Sequence, residues 1–474
     1  MSIQEIFGKV MVYLAPAAAA ILALLSAAGL YLLLQRKKHG AGTWQMSRLH
    51  KPFIGVLLLG YLLVVFGLTG LSRTANYAGA TNFHLFSGYM EAWNNYSIFS
   101  FQLIVFNILM FVPLGILLPL LTGKLSRFRG LFAASLGTTL LIETIQLVTA
   151  RGIFELDDLF HNTLGSVIGY HLYMLGTRIY QERRLRLAEL TKRLAIPVAI
   201  GVLFFGTHLV YVGKDFGNMR IHPVYGTDMS GVTITTSIPF SHTASTSSVY
   251  KNEHSLNRKR GQAIAHQLQD KLGLPPIEWE GRDGANLQFH FKESDGTRYI
   301  FTYFVLDGSW DLFDDHYHPE EHPAAVAAHE ARAQAEAIMK SLALLPTAAR
   351  MTVTENGEYD WRLPEQAYSP RDRWDGYARL SLKTDGGISA IQYGFMSNRY
   401  VRDVPIMSPT EALDQIHKGR FDQVYAFRQG DQLDITSYEL SYVYDTKGYY
   451  QPVYAFEGVV NGENLWLLQI DARR

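Results

Sequence analysis

The chain has 474 residues, more than a single hydrophobic core usually organises, so at least two domains are expected. Its formal charge of zero, from 43 Lys+Arg and 43 Asp+Glu, averages two unlike halves: the part up to Val212 holds 17 bases and 8 acids (+9), the remainder 26 and 35 (−9). This split excludes a cytosolic enzyme and a nucleic-acid binder with one basic face, while zero cysteine excludes a disulfide framework, a CxxC zinc site, an iron–sulfur centre and a cysteine nucleophile.

A membrane-spanning helix needs about 20 mostly apolar residues. Six segments qualify fully or nearly: Val10 to Leu34, Phe53 to Gly70, Phe99 to Leu121, Leu131 to Thr149, Leu159 to Gly176 and Leu194 to Val212. The first has only Lys9 before it and an apolar run too long for a cleaved signal peptide, so it is expected to stay in the mature chain. Bases cluster after the first segment (Arg36, Lys37, Lys38, Arg48, Lys51), the third (Lys124, Arg127, Arg129) and the fifth (six, from Arg178 to Arg193). The opposite side has Lys9, Arg73 and Arg151, so the positive-inside rule places the N-terminus outside, and six crossings place the C-terminal domain outside too. A re-entrant fifth segment, flanked by Asp157 and Asp158 and punctuated by Gly165 and Gly169, would turn the six bases after it outward, and the charge pattern argues against that.

Polar residues gather at the outer end of this domain, where ionisable groups are costly and suggest function. Asn107 lies about 12 Å into the third segment at 1.5 Å per residue. Glu143, with Gln146 on the same helical face, lies at a matching depth in the fourth. Asp158, His161 and Asn162 share one face as the fifth re-enters, and Pro113 and Pro119 should kink the third. Two readings stand side by side: an outward-opening polar pocket, or interhelical hydrogen-bond glue with Glu143 protonated or paired to Arg151. The spacing matches no zinc motif, P-loop or nucleophile elbow, and no metal or cofactor is expected.

The stretch Asn107-Ile-Leu-Met-Phe-Val-Pro113-Leu-Gly115, then Glu143-Thr-Ile-Gln146, then Arg151 through Asp157-Asp158, then Asn162-Thr163-Leu-Gly165 and Gly169, resembles the VanZ-like membrane family. Asn82 with Phe86 resembles the short motif preceding this block, and the resemblance runs from about Ile54 to Tyr173. It implies a membrane domain associated with resistance to the glycopeptide teicoplanin and names no reaction. The shared residues map onto Asn107, Pro113, Gly115, Glu143, Gln146, Arg151, Asp157, Asp158, Asn162, Thr163 and Gly165, and His161 joins them by its helical position. A large C-terminal domain sets this chain apart from a minimal member.

Gly213 to Tyr250 reads as a stalk with one strand within Gly231 to Ile238. Beyond it, periodicity predicts helices at Asn257 to Leu272, His322 to Leu345 and Pro409 to Gly419, the last N-capped by Ser408. Strands are predicted at Leu287 to Phe291, Tyr299 to Leu306, Arg350 to Thr354, Ala378 to Lys383, Ile388 to Phe395, Leu433 to Tyr444, Gln451 to Val459 and Leu465 to Ile470. The expected organisation is a polytopic α-helical membrane domain of about six helices over 1–212, a linker over 213–250, and an exported α+β domain with antiparallel sheets over 251–474, built of one or two helix-plus-sheet units. The last 70 or so residues, with the Ser408-Pro-Thr-Glu-Ala helix and the run from Leu440 to Gly458, are similar to extracytoplasmic regulatory domains of the YycI/YycH type with PepSY-like units, which contact partner proteins. Tyr449, Tyr450, Tyr454 and Phe456 are expected in the core of those strands or, as the competing reading, on a contact surface. Asp314, Asp315, His316, His318, Glu320, Glu321, His322 and His329 read as a solvated acidic loop before a helix rather than a metal site.

The expected function is a multi-pass cell-envelope protein that binds a membrane lipid or lipid-linked amphiphile headgroup at the outer leaflet, with an extracytoplasmic domain that senses or docks another envelope protein; nucleic acid is not expected as a partner. Two other readings are an intramembrane enzyme acting on a lipid-linked cell-wall precursor, with Glu143 or Asp158 as acid or base and His161 assisting, and a membrane anchor for a regulatory domain.

Overall fold

The computed structural model describes residues 50–71, 80–182, 187–283, 286–292, 298–315, 328–354, 357–364, 372–383, 386–422 and 425–474. The chain divides into two compact units, the first ending at Lys214 and the second comprising Asp215–Arg474 with the short Trp93–Tyr96. The first expected crossing, Val10 to Leu34, lies outside the described residues.

In the first unit the described helices are α1 (His50–Phe66, continued by a π-turn over Gly67–Leu71), α2 (Ser87–Asn95), α3 (Ile98–Leu121), α4 (Phe128–Val148), α5 (Leu156–Glu182) and α6 (Leu187–Gly213). Among the described residues four helical spans are long and apolar enough to cross a membrane: Lys51–Thr69, Ser100–Leu121, Phe128–Val148 and Leu187–Gly213. Six crossings are therefore not confirmed among the described residues. The expected fifth is α5, a single helix of 27 residues that is long enough but too polar for that set. Its environment explains the composition: Asp157, His161, Asn162, Thr163, Gly165, Ser166, Val167, Ile168, Gly169 and Tyr170 are all buried by the rest of the unit. A helix covered by protein need not present an apolar surface to lipid.

Close approach of backbones holds α5 against α3. A Cβ added at Gly165 would stand 1.9 Å from the Ile108 carbonyl oxygen, one at Gly169 2.0 Å from that of Val112, and one at Gly115 1.9 Å from that of Ser166. Such distances admit only glycine, and the Gly165-xxx-Gly169 spacing repeats the small residue once per turn along the contact. The helix α3 runs unbroken through Pro113 and Pro119. Packing around these helices is apolar: Val65, Phe111, Leu114, Leu118, Leu131, Ile142 and Tyr170 form one cluster, while Ile104, Ile108 and Ile168 form another with Ile196, Ile200 and Phe204 of α6. Outward positions are apolar as well, including Leu59, Leu63, Leu109, Leu140, Leu141, Val202, Phe205 and Leu209.

The α4 helix ends in a Schellman turn. The Arg151 N–H donates to the Gln146 carbonyl at 3.0 Å and the Ala150 N–H to the Leu147 carbonyl at 3.2 Å, with Ala150 in the left-handed region at φ 55°. A two-residue parallel pairing of β1 (Thr81–Asn82) with β2 (Phe154–Glu155) then fixes the chain at the start of α5.

The second unit is sheet-rich. An eight-stranded antiparallel sheet has the order β5-β6-β7-β8-β13-β12-β10-β9: β5 (Ile277–Asp283), β6 (Asn286–Lys292), β7 (Arg298–Tyr303), β8 (Trp310–Asp314), β13 (Ile388–Tyr393), β12 (Tyr377–Leu382), β10 (Tyr359–Arg362) and β9 (Arg350–Val353). Its register places Leu287, Tyr303, Trp310, Tyr393, Ala378 and Trp361 in one cross-strand row and Gln288, Thr302, Asp311, Gln392, Arg379 and Asp360 in the next. Adjacent rows point to opposite faces, so the first lies in the core with Ile264, Ala265 and Leu268 of α7 (Arg258–Leu272) and Ala331, Ala335 and Met339 of α8 (Ala328–Leu342). Asn257 caps α7 by accepting from the Arg260 N–H, and Gly273 ends it at φ 64°.

A second sheet has the order β11-β14-β4-β16-β15-β3, with β17 on β16: β11 (Asp372–Asp375), β14 (Met396–Ile406), β4 (Ser245–Asn252), β16 (Tyr449–Val460), β15 (Gln432–Tyr444), β3 (Thr233–Thr236) and β17 (Asn464–Asp471). All its pairings are antiparallel except β15 with β3. The segment read as a stalk thus supplies β3 and β4. The helix α9 (Pro409–His417) begins with a full capping box between Ser408 and Glu411 and buries Ala412 and Ile416 with Ile435, Phe456 and Trp466. Strands β4, β5, β8, β10, β11 and β14 were not among those expected; β14 has five consecutive exposed positions, Arg399 to Asp403, and carries Pro405, which blur its period. Of the four aromatics, Tyr454 and Phe456 lie in this core, Tyr449 packs at its margin, and Tyr450 stacks on Tyr442 at 5.1 Å. The acidic run begins with Asp314 ion-paired to Lys383 and Asp315 to Arg298, and 316–327 lie outside the described residues.

Candidate functional site

Local sequence puts one polar stripe on α4. Ser135, Thr139, Glu143 and Gln146 recur at steps of four, four and three residues, share one face, and are all buried. Asp158, His161 and Asn162 line the first two turns of α5. Three segments distant in sequence meet that part of α5 or the stripe on α4.

The Asn107 amide donates to Asp158 at 2.7 Å across α3 and α5. The Asn162 amide donates to the Thr139 hydroxyl at 2.9 Å, joining α5 to the α4 stripe. His161 Nε2 lies 2.9 Å from the Tyr89 hydroxyl of α2. Glu143 accepts the Glu155 backbone N–H at 3.4 Å, and the Gln146 amide donates to the Thr69 carbonyl of the π-turn at 3.3 Å. A π-turn leaves carbonyls outside the regular α ladder, and here one is taken up by a side chain.

Asp157 has a structural task. Its carboxylate accepts the N–H groups of Phe86 at 2.5 Å and Gly88 at 2.8 Å and the Ser87 hydroxyl at 3.3 Å, so it caps the α2 N-terminus from another segment. Asn82 joins by donating to Ser87 at 2.9 Å. Arg151 is half-buried on the Schellman turn. Pro113 is exposed and stands apart from the cluster, whereas Gly115 and Gly165 set the α3–α5 approach, and Thr163 is buried beside Asn162. Sequence reasoning missed Tyr89, Thr139, Ser135 and Thr69. The 4-4-3 spacing on α4 was a legible signal for two of them; Tyr89 and Thr69 carry none, because their partners lie 72 and 77 residues away.

Hydrogen-bonding capacity is left over. Gln146 Oε1, Asn162 Oδ1, His161 Nδ1, Thr163 Oγ1 and Ser135 Oγ are buried without a partner, at residue exposures of 3, 4, 2, 7 and 0%. Each such atom costs about 1–3 kcal/mol, and native proteins carry few of them. Five of them, spread along the α4 stripe and the first turns of α5, fit helices that take up further partners on binding. Among the described residues no group of three His, Cys, Asp or Glu is placed to share a metal ion.

Residues 57–177 match the model of the VanZ/LLP1 family. Protein VanZ of Enterococcus faecium is 26% identical over 155 residues, which cover 33% of this chain and 89% of that protein. Among solved structures, the Bacillus megaterium YpeB C-terminal domain is similar over 46% of this chain and 94% of that one, at 10% identity and a TM-score of 0.23. An uncharacterized protein from Eubacterium rectale is similar over 51% and 89%, at 15% identity and a TM-score of 0.21. At such scores neither likeness bears on fold or function.

Proposed function

We propose that this chain is a multi-pass membrane protein whose VanZ/LLP1 domain holds the headgroup of a lipid or lipid-linked amphiphile at the outer leaflet. The second unit then lies outside the cell and senses or docks another envelope protein. The observation that carries the proposal is the set of five unpartnered buried polar atoms along the α4 stripe and the first turns of α5, inside a unit whose outer surface is apolar. Polar groups buried in a bilayer are expensive to maintain, and unmatched ones more so, which favours a binding role over helix-to-helix adhesion alone. The orientation rests on the bases that follow the first, third and fifth expected crossings. A headgroup reaching the cluster would exchange its hydration for these atoms while its apolar tail stays among the outward Leu, Val and Phe side chains.

Glu143→Gln keeps the shape of the stripe and removes its carboxyl group. The purified variant is expected to retain co-purifying lipid at least tenfold less than the parent, as read by native mass spectrometry; equal retention would remove the cluster from the binding site. Because the chain has no cysteine, single introduced cysteines report topology cleanly. Leu465→Cys, on an exposed position of β17, is expected to react with an impermeant maleimide in intact cells, and Lys124→Cys, on the exposed α3–α4 turn, only after lysis.

A further inference from the structure

We propose that the headgroup taken by this cluster is an ammonium; the inference rests on the binding reading above and names its ligand chemistry. Two of the five leftover atoms can only accept. Gln146 is fixed in orientation, since its amide nitrogen must face the Thr69 carbonyl, which can only accept; its Oε1 therefore turns the other way, buried and unpartnered. Asn162 likewise spends its amide nitrogen on Thr139 and leaves Oδ1 without a donor.

Carboxylates stand on the same helical faces. Glu143 is one turn before Gln146 on α4 and 1% exposed, and Asp158 is one turn before Asn162 on α5. A phosphate entering there would face these carboxyl groups in a medium of low dielectric, where repulsion from an ionised one is several-fold stronger than in water. A primary ammonium has three N–H donors and a positive charge, and it meets both conditions.

The rim adds a third feature. Phe86 packs edge-on against Phe160 at 5.5 Å and against Tyr89 at 5.8 Å, and the Tyr89 and Phe160 rings lie 5.2 and 5.7 Å from the His161 ring. Phe86 and Phe160 are exposed, at 47 and 38%. Aromatic rings beside acceptor oxygens favour a cation over an anion or a neutral polyol.

The test uses the purified full chain in a neutral polyether detergent, with bound lipids counted by native mass spectrometry. Phosphatidylethanolamine is compared with its N-acetyl derivative, which keeps phosphate and tails but lacks the ammonium, and with phosphatidylglycerol and a glycosyl diacylglycerol. Phosphatidylethanolamine is expected to be retained at least tenfold better than the other three, and Gln146→Leu to abolish that preference. Gln146→Met serves if the leucine variant does not fold, and the parent's own selectivity decides the assignment without either. Equal retention of the amine and its N-acetyl form, or preference for phosphatidylglycerol or the glycolipid, would overturn the ammonium while leaving the site intact. Failure to retain any of the four would overturn the site itself, and the ammonium with it. Soluble ethanolamine separates the sources: displacement of the lipid at equal concentration assigns the site to a free amine, and persistence of the lipid assigns it to the membrane.

Discussion

The two units solve burial in opposite ways. In the second, aromatic and aliphatic rows such as Tyr303, Trp310 and Tyr393 turn inward, and the next row over, with Thr302, Asp311 and Gln392, turns to the other face. In the first, Ser135, Thr139, Glu143, Gln146, His161 and Asn162 are inside, and Leu109, Leu140 and Phe205 are outside. One arrangement suits water around it and the other suits hydrocarbon. Backbone proximity differs accordingly: where no hydrophobic effect drives helices together, α3 and α5 rely on glycine-mediated contact, while the sheets rely on side-chain interdigitation.

The largest effect is expected at that contact. Gly165→Ala forces a Cβ against the Ile108 carbonyl and should destabilise the first unit by about 3 kcal/mol, whereas Gly201→Ala inside α6, with nothing within 4 Å, should raise thermal stability slightly, by up to about 1 kcal/mol. Equal behaviour of the two would break the distinction between the packed and the outward helix.

Next comes polarity on the outside. Leu109 lies at the middle of α3 and is 59% exposed; Leu109→Asp is expected to cost about 3 kcal/mol in a bilayer, read as loss of folded, membrane-integrated protein. Leu467→Asp on β17, at 54% exposure, should change stability by no more than about 0.5 kcal/mol. Tolerance of aspartate at Leu109 would mean that this face is not lipid-facing.

A smaller effect, of opposite sign, is expected at the end of α4. Ala150 occupies the left-handed position of the Schellman turn that glycine favours, so Ala150→Gly should stabilise the first unit by about 1 kcal/mol in a thermal melt. The smallest concerns α9. The Ser408 backbone N–H, followed by Arg474, holds the Glu411 carboxyl below the ordinary glutamate value. A depressed carboxyl contributes stability that is present above its unfolded value and is lost as pH falls through its folded value. Glu411→Gln keeps the capping geometry and is expected to flatten the acid limb of the second unit's stability slightly, by lowering stability at neutral pH and converging with the parent in acid; an unaltered acid limb would show that the box contributes through hydrogen bonding alone.

Much of the site was legible because it is written in helical spacing. Glu143 with Gln146, and Asp158 with His161 and Asn162, could be assigned to shared faces from residue numbers alone. Asp157 looked like their equal and proved to be a cap for α2, since the amides it binds lie 69 and 71 residues upstream. In the sheets, β15 and β16 were readable from long apolar and aromatic runs, whereas β4 and β14 were not, because half-exposed central strands rich in Ser, Thr and Arg resemble loops.

Sequence by itself determined the two-part organisation, the opposite charges of the parts, the apolar helices and the faces on which the polar residues lie. Each follows from composition and periodicity, which are properties of neighbours along the chain. Tertiary structure decided that α5 is the covered helix at the centre of its unit, that Asn107 meets Asp158 and His161 meets Tyr89, and which atoms of Gln146 and Asn162 remain unmatched. Those facts depend on which backbones approach closely enough to exclude everything but glycine, and no local pattern records a distance between segments 50 to 80 residues apart.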